Sequence, residues 1–334
     1  MSGKPTIYVI GTGGTISGVG SSATGAVYES GRVGASELVD EVGSLSQVTN
    51  IKTENLFATG SENLGPVEWR ILARRIEELT ASSDIDGVVV THGTDTLEEA
   101  SFFLDLVCKP SKPVVLTAAM RPATALSADG PANLYQAVLT AASLRLNGHG
   151  ILVVMNGKVI PGWQAIKTDS AALESFCAYP GGIIGHISGE RIILSGESCT
   201  FPLSGMFSDH LKKEGKLPLV RVIFLRGGFE EVLLEDLINN DCKGVVIAGF
   251  GAGTLPNTVV NRIAKMERPE CVIVVSSRVQ RVMVMSETMT KIEGWSSIPS
   301  GFLNPQKSAL LLSLALEDGL QTLEIAGFFK KLYG

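Results

Sequence analysis

The stretch TIYVIGTGGTISG at residues 6–18 sets how the rest of the chain is read. Four apolar residues, Ile7, Tyr8, Val9 and Ile10, run as a short strand into the turn GTGGT. An apolar run of this length ending in a Gly-rich turn reads as a buried strand. Such a turn either cradles a phosphate or presents a hydroxyl for chemistry. Gly11 and Gly13 supply the first two glycines of a dinucleotide fingerprint, but the third position is Ile16. Gly13 and Gly18 have P-loop spacing, but Val19 stands where the lysine belongs. A second Gly-rich turn, GFGAGT at residues 249–254, supplies Gly249, Gly251 and Gly253 and then Thr254. Phosphate binding is disfavoured at both turns.

Working outward, short apolar runs alternate with helix-period segments. Strands are expected at 6–10, 48–57, 86–91, 113–118 and 150–155, and helices at 36–45, 67–80, 95–107 and 130–146. Thr94 reads as the cap of the third helix, with Asp95 and Glu98 in its first turn. This rhythm predicts an α/β fold with a mostly parallel sheet flanked by helices on both faces. After about residue 156 glycine, proline and polar residues become frequent, with short strands at 183–188 and 190–194, and residues 199–218 read as a linker. Alternation then resumes: strands in LVRVIFL, GVVIAGF and CVIVVSS, and helices at 230–239, 257–266, 304–317 and 321–332. The expected organisation is a larger N-terminal α/β domain at 1–198, the linker, and a smaller C-terminal α/β domain at 219–334.

The bulk properties exclude several classes. With 334 residues, 45% of them apolar and 19% charged, the chain reads as globular. A net charge of −6 disfavours nucleic acid and anionic membrane as partners. The apolar run at 7–10 is too short for a secretory signal, so the expectation is a cytoplasmic protein, or a periplasmic one whose signal has been removed. The cysteines at 108, 177, 199, 242 and 271 contain no CxxC pair, so most are expected to be buried thiols. The histidines at 92, 149, 186 and 210 lack metal-ligand spacing, so no metal and no cofactor is expected.

In open α/β sheets ligands bind at the carboxyl ends of strands. Three polar turns fall there: GTGGTISG, TGSEN after the second strand, and THGTDT after the third. Thr15 and Thr94 are the hydroxyls these turns offer, with Asp95 beside the second. A hydroxyl needs a partner to become a nucleophile, and a lysine joined to Asp95 can relay the proton. His92 is the obvious base for a serine-type triad, but no G-x-S-x-G occurs, and His92 reads as structural.

These residues carry a resemblance. TGGTI at 12–16 and THGTDT at 91–96 are similar to the two signature stretches of bacterial L-asparaginases. KPVVLTAAMRP at 112–122, SADGPANLYQAV at 127–138, GILVVMNG at 150–157, SSRV at 276–279 and LNPQKS at 303–308 extend it along the chain. The resemblance implies hydrolysis of the side-chain amide of L-asparagine, with some action on L-glutamine, by a homotetramer whose active sites lie between subunits. By position it implies Thr15 as the nucleophile, Tyr28 on a lid loop as its partner, and Thr94, Asp95 and Lys167 as a relay. Ser61 and Glu62 match the family's substrate-binding pair, and the backbone N–H of Ala119 matches an oxyanion donor. Relatives carrying Glu rather than Gln at the position of Glu62 tend to accept glutamine more readily.

The sequence also departs from the family. Relatives complete the site from a neighbouring subunit with an Asn or Ser and a Glu. Here Thr254 takes the first place, and the second falls on Met289, with Glu287 two residues away. Gln280 and Arg281 replace the Pro-Thr usual after SSRV. Two other readings stand beside the enzyme: an ammonia-releasing subunit of the amidotransferase type, and an amino-acid-binding regulatory module without catalysis. A pure binder has no need of Lys167, which argues against the last.

Overall fold

The computed structural model describes residues 3–22, 27–195, 201–238, 241–267 and 270–333. Cys199, the start of the expected linker and the middle of the Tyr28 loop lie outside them. The chain divides into two compact units, Met1–Glu214 and Gly215–Gly334.

The first unit is built on an eight-stranded sheet. Its strands are β1 (Thr6–Gly13), β2 (Asn50–Thr59), β3 (Gly87–Thr91), β4 (Val114–Thr117), β5 (Ile151–Met155), β6 (Lys158–Pro161), β7 (Gly185–Ser188) and β8 (Arg191–Leu194). Their order is β8-β7-β6-β5-β4-β3-β1-β2. The five strands from β2 to β5 pair in parallel, and β6, β7 and β8 continue the sheet antiparallel. The helices are α1 (Ala35–Glu41), α2 (Leu45–Val48), α3 (Pro66–Ala81), α4 (Leu97–Val107) and α5 (Gly130–Ala141). Alternation along β1 sends Ile7 and Val9 to the face covered by α1, α2 and α5, where Leu38, Leu45, Leu134 and Val138 join one core. Helices α3 and α4 pack together on the other face, with Trp69 against Phe103. Every residue of β3, β4 and β5 is buried, as covering both faces of a parallel sheet requires.

The connections create a crevice. From β1 the chain moves out to β2, and α3 then carries it back across β1 to β3. From β3 it continues to β4 and β5 in the opposite direction. The order therefore reverses between β1 and β3, where ligands bind in sheets of this kind.

Two helix expectations are corrected. The segment 36–45 breaks into α1 and α2 around Val42–Gly43–Ser44, and 130–146 ends at Ala141 before a short 3-10 turn at Leu144–Leu146. Beyond residue 200, Phe201, Leu203 and Phe207 are buried, with Phe201 stacked on Trp163 inside the first unit.

The second unit carries four parallel strands, β9 (Val220–Phe224), β10 (Gly244–Gly249), β11 (Val272–Ser277) and β12 (Ile298–Pro299), in that order. Helices α6 (Leu233–Leu237) and α7 (Asn257–Ala264) join one core with Ile247 and Val275. Helix α8 (Pro305–Glu317) packs so closely on β10 that a Cβ at Gly244 would lie 2.7 Å from Leu312. Asn304 caps α8 by accepting a hydrogen bond from Lys307 N at 3.2 Å, and α9 (Thr322–Lys331) ends the unit.

Candidate active site

The three polar turns meet at the carboxyl ends of β2, β1 and β3, which are neighbours in the sheet. Glycine makes that approach possible. Gly14 has φ +80°, and a Cβ there would lie 2.4 Å from Gly93 Cα. A Cβ at Gly93 would in turn lie 2.5 Å from Ser61 Oγ. No larger residue fits between these backbones, so the glycines of the opening stretch serve close packing. Gly14 N donates to Thr59 O at 2.8 Å, which ties the β1 turn to the end of β2.

Thr15 follows directly in a short 3-10 turn and is buried. Its Oγ1 lies 2.7 Å from Tyr28 Oη. Tyr28 belongs to a two-residue strand, Tyr28–Glu29, that pairs with Val19–Gly20. Its ring lies over Gly18, where a Cβ would come within 2.7 Å of Cδ2. The tyrosine thus reaches Thr15 because position 18 has no side chain.

Thr94, at the end of β3, is buried. Lys167 Nζ donates to Thr94 Oγ1 at 2.9 Å and to Asp95 Oδ1 at 2.6 Å. The Lys167 side chain is 18% exposed and that of Asp95 63%, so the pair bridges the buried hydroxyl and the solvent. The role of Thr94 as a helix cap is corrected. Helix α4 begins at Leu97 behind Thr96, while the Thr94 hydroxyl is held by Lys167.

Two further residues position these groups. Thr96 Oγ1 donates to Ser61 O at 2.8 Å, and Thr96 N to Ser61 Oγ at 3.4 Å, so the TGSEN and THGTDT turns are clamped together. Glu98, buried on the first turn of α4, accepts a hydrogen bond from Lys167 N at 2.7 Å. Sequence reading missed both roles. A glutamate four residues from Phe102 in the apolar segment LEEASFFLDLV was the available signal for Glu98, and the second signature itself contains Thr96.

Glu62 is exposed beside Ser61, and its Oε1 accepts from Asn63 Nδ2 at 3.0 Å. Ala119 is buried just beyond β4. There the following amides, Met120 N and Arg121 N, donate to Asp129 at 3.0 and 2.9 Å. His92 is fully buried, and its Nδ1 lies 2.8 Å from Gly93 O. Burial lowers its pKa to about 4, partly opposed by the Gly93 carbonyl, so the ring is neutral at physiological pH.

Thr254 and Glu287 belong to the second unit and are exposed there on adjoining turns. Phe250 and Thr254 exchange backbone hydrogen bonds at 2.9 and 2.8 Å. The two turns are joined by Thr290 N donating to Gly253 O at 3.0 Å. Met289 packs on the core of the unit, whereas Glu287 faces solvent. Its carboxyl is held below the usual range by its own backbone N–H and by the Ser286 hydroxyl. Among the described residues no cluster of His, Cys, Asp and Glu could hold a metal ion, and no helix is long and apolar enough to cross a membrane.

The fold and the convergence at the β1/β3 crevice define an open α/β protein with paired threonine hydroxyls at its switch point. Comparison with known proteins makes this more specific. Residues 6–199 match the asparaginase N-terminal family, and residues 219–329 match the glutaminase/asparaginase C-terminal domain. L-asparaginase 2 of Escherichia coli is 36% identical over 98% of this chain and 93% of that protein. The glutaminase-asparaginase of Pseudomonas fluorescens is 34% identical over 97% of this chain and 89% of that protein. The crystal structure of a probable cytoplasmic L-asparaginase from Campylobacter jejuni superposes with a TM-score of 0.89 at 33% identity, covering 98% of this chain and all of that one. The chain belongs to the asparaginase family.

Proposed function

We propose that the protein hydrolyses the side-chain amide of L-asparagine to L-aspartate and ammonia through an acyl-enzyme on Thr15, with L-glutamine as a second substrate. The observation that carries this reading is the pairing of each threonine with a proton-handling partner at adjacent strand ends: Thr15 with Tyr28, and Thr94 with Lys167.

Thr15 Oγ1 attacks the amide carbon. Tyr28 Oη receives the Thr15 proton along their hydrogen bond and passes its own to the leaving nitrogen, so the C–N bond breaks as ammonia departs. Water then adds to the ester carbon, and the proton it gives up returns to Thr15 as aspartate leaves. Because Lys167 donates to Thr94 Oγ1, the Thr94 proton points elsewhere and serves as a donor to substrate or water. The ammonium of Lys167 stabilises negative charge that develops nearby. The Ala119 N–H contributes to the oxyanion hole. Asp95 and Glu62 pair the substrate ammonium, and Ser61 its carboxylate.

The same reading takes the working unit to be a homotetramer in which Thr254 and Glu287 serve a neighbouring subunit's site. It takes the protein to be cytoplasmic, as the Campylobacter jejuni relative is described as a probable cytoplasmic L-asparaginase. The test is ammonia release from L-asparagine and L-glutamine by the wild type and by Thr15→Ala. Release from both amides by the wild type and from neither by the variant is the expected result, and no release from glutamine would remove it as a second substrate. No release by the wild type would overturn the hydrolase reading, and full activity in the variant would overturn the choice of nucleophile.

A further inference from the structure

The second unit holds a feature that amide hydrolysis does not use. Cys242 lies two residues before β10 and Cys271 immediately before β11, and these strands are parallel neighbours with Gly244 opposite Val272. Val272 N donates to Lys243 O at 3.1 Å, so the strand starts are held together one residue from each cysteine. Continued outward, this register sets Cys271 opposite Lys243 and Cys242 one residue further along, and the diagonal across strands about 4.8 Å apart is about 6 Å, inside the span of about 4.4–6.8 Å that a disulfide bridges. The two thiols share a hydrogen bond. That bond comes first among the causes holding the Cys242 thiol below the ordinary range, and a backbone hydrogen bond and charge from Arg221 add to it. Cys108, by contrast, has its thiol pushed up by burial in the first unit.

The pair is also reachable. Cys271, although buried, lines a cleft of about 290 Å³ together with Met266, Trp295 and Thr322, whereas Cys242 is fully buried and does not line it. A small oxidant entering the cleft meets Cys271 first.

We propose that Cys242 and Cys271 form a reversible dithiol–disulfide site that is oxidised by hydrogen peroxide. The thiolate of the pair attacks one peroxide oxygen. The O–O bond breaks, and hydroxide leaves and takes up a proton to become water. The sulfenic acid so formed is attacked by the second sulfur, which loses its proton as the S–S bond forms and a second water leaves. Two thiols are oxidised by two electrons, and one peroxide is reduced. A dithiol reductant restores the pair by exchange.

The test is wild-type protein treated with a small excess of hydrogen peroxide, blocked with an alkylating agent and mapped by mass spectrometry, with and without later reduction. The expected result is loss of two of the five thiols, a Cys242–Cys271 cross-linked peptide, and full recovery on reduction. Cys108 stays alkylatable on unfolding. Trp295 fluorescence changes with the oxidation and returns with reduction. In Cys271→Ala the cross-link is absent and Cys242 gains oxygen instead. A cross-link to another cysteine, or oxygen addition without a cross-link in the wild type, would overturn the proposal.

Discussion

Thr15 Oγ1 and Tyr28 Oη stand 2.7 Å apart, although one follows β1 of the large sheet and the other lies on an exposed two-residue strand. The contact exists because Gly18 leaves room for the ring. Replacing Tyr28 by Phe keeps the ring and removes only the oxygen. Activity on L-asparagine should then fall about 100-fold or more in kcat, the scale of a lost proton-transfer partner, with little change in thermal stability. A kcat within a factor of about two of wild type would remove Tyr28 from proton transfer.

Lys167→Met removes the ammonium from Thr94 and Asp95 and leaves no buried charge behind, since Asp95 is largely exposed. The fold should survive, and kcat/KM should drop by about 1000-fold. Steady-state kinetics together with a thermal melt separate loss of chemistry from loss of fold.

Glu98 acts on the site through the Lys167 backbone. Glu98→Ala leaves that N–H without its carboxylate, which should cost about 1–3 kcal/mol of stability. A displaced Lys167 should lower kcat more than it raises KM. An unchanged denaturant midpoint would show that the bond contributes nothing.

Gly14→Ala tests the close approach of the turns. Its φ of +80° and the 2.4 Å gap from a Cβ to Gly93 Cα leave no room for a methyl group. The expected cost is at least about 2 kcal/mol in the first unit, with loss of activity because Thr15 is the next residue. A variant that melts and turns over like the wild type would contradict the packing.

His92 makes stability depend on pH. Its folded pKa is lowered to about 4, from an unfolded value near 6.5. Between these values the unfolded chain binds the proton and the folded one does not, so stability falls as pH drops through this window. Above it the contribution of His92 is constant. The full loss is about 3 kcal/mol. Denaturant unfolding at several pH values should show the decline in wild type and a shallower one in His92→Asn. Equal slopes would contradict the assignment.

Much of this arrangement is legible in the sequence because it is local. Apolar runs ending in polar turns mark β1, β2 and β3, and each is found at or within a few residues of its expected bounds. Neighbouring strand ends then bring the turns together by topology alone. The misreadings arise where distant residues decide. Thr94 has the composition of a cap, but a lysine far along the chain holds its hydroxyl, and the helix starts behind Thr96. Glu98 reads as a first-turn acid on α4, yet it is buried and fixes the backbone of Lys167. Cys242 and Cys271 have no motif spacing and meet only because β10 and β11 are adjacent.

The most direct test of the central claim is acid quenching during turnover of L-asparagine, followed by peptide mapping. The account predicts an aspartyl ester on the peptide that carries Thr15. An ester on the peptide that carries Thr94 would contradict it.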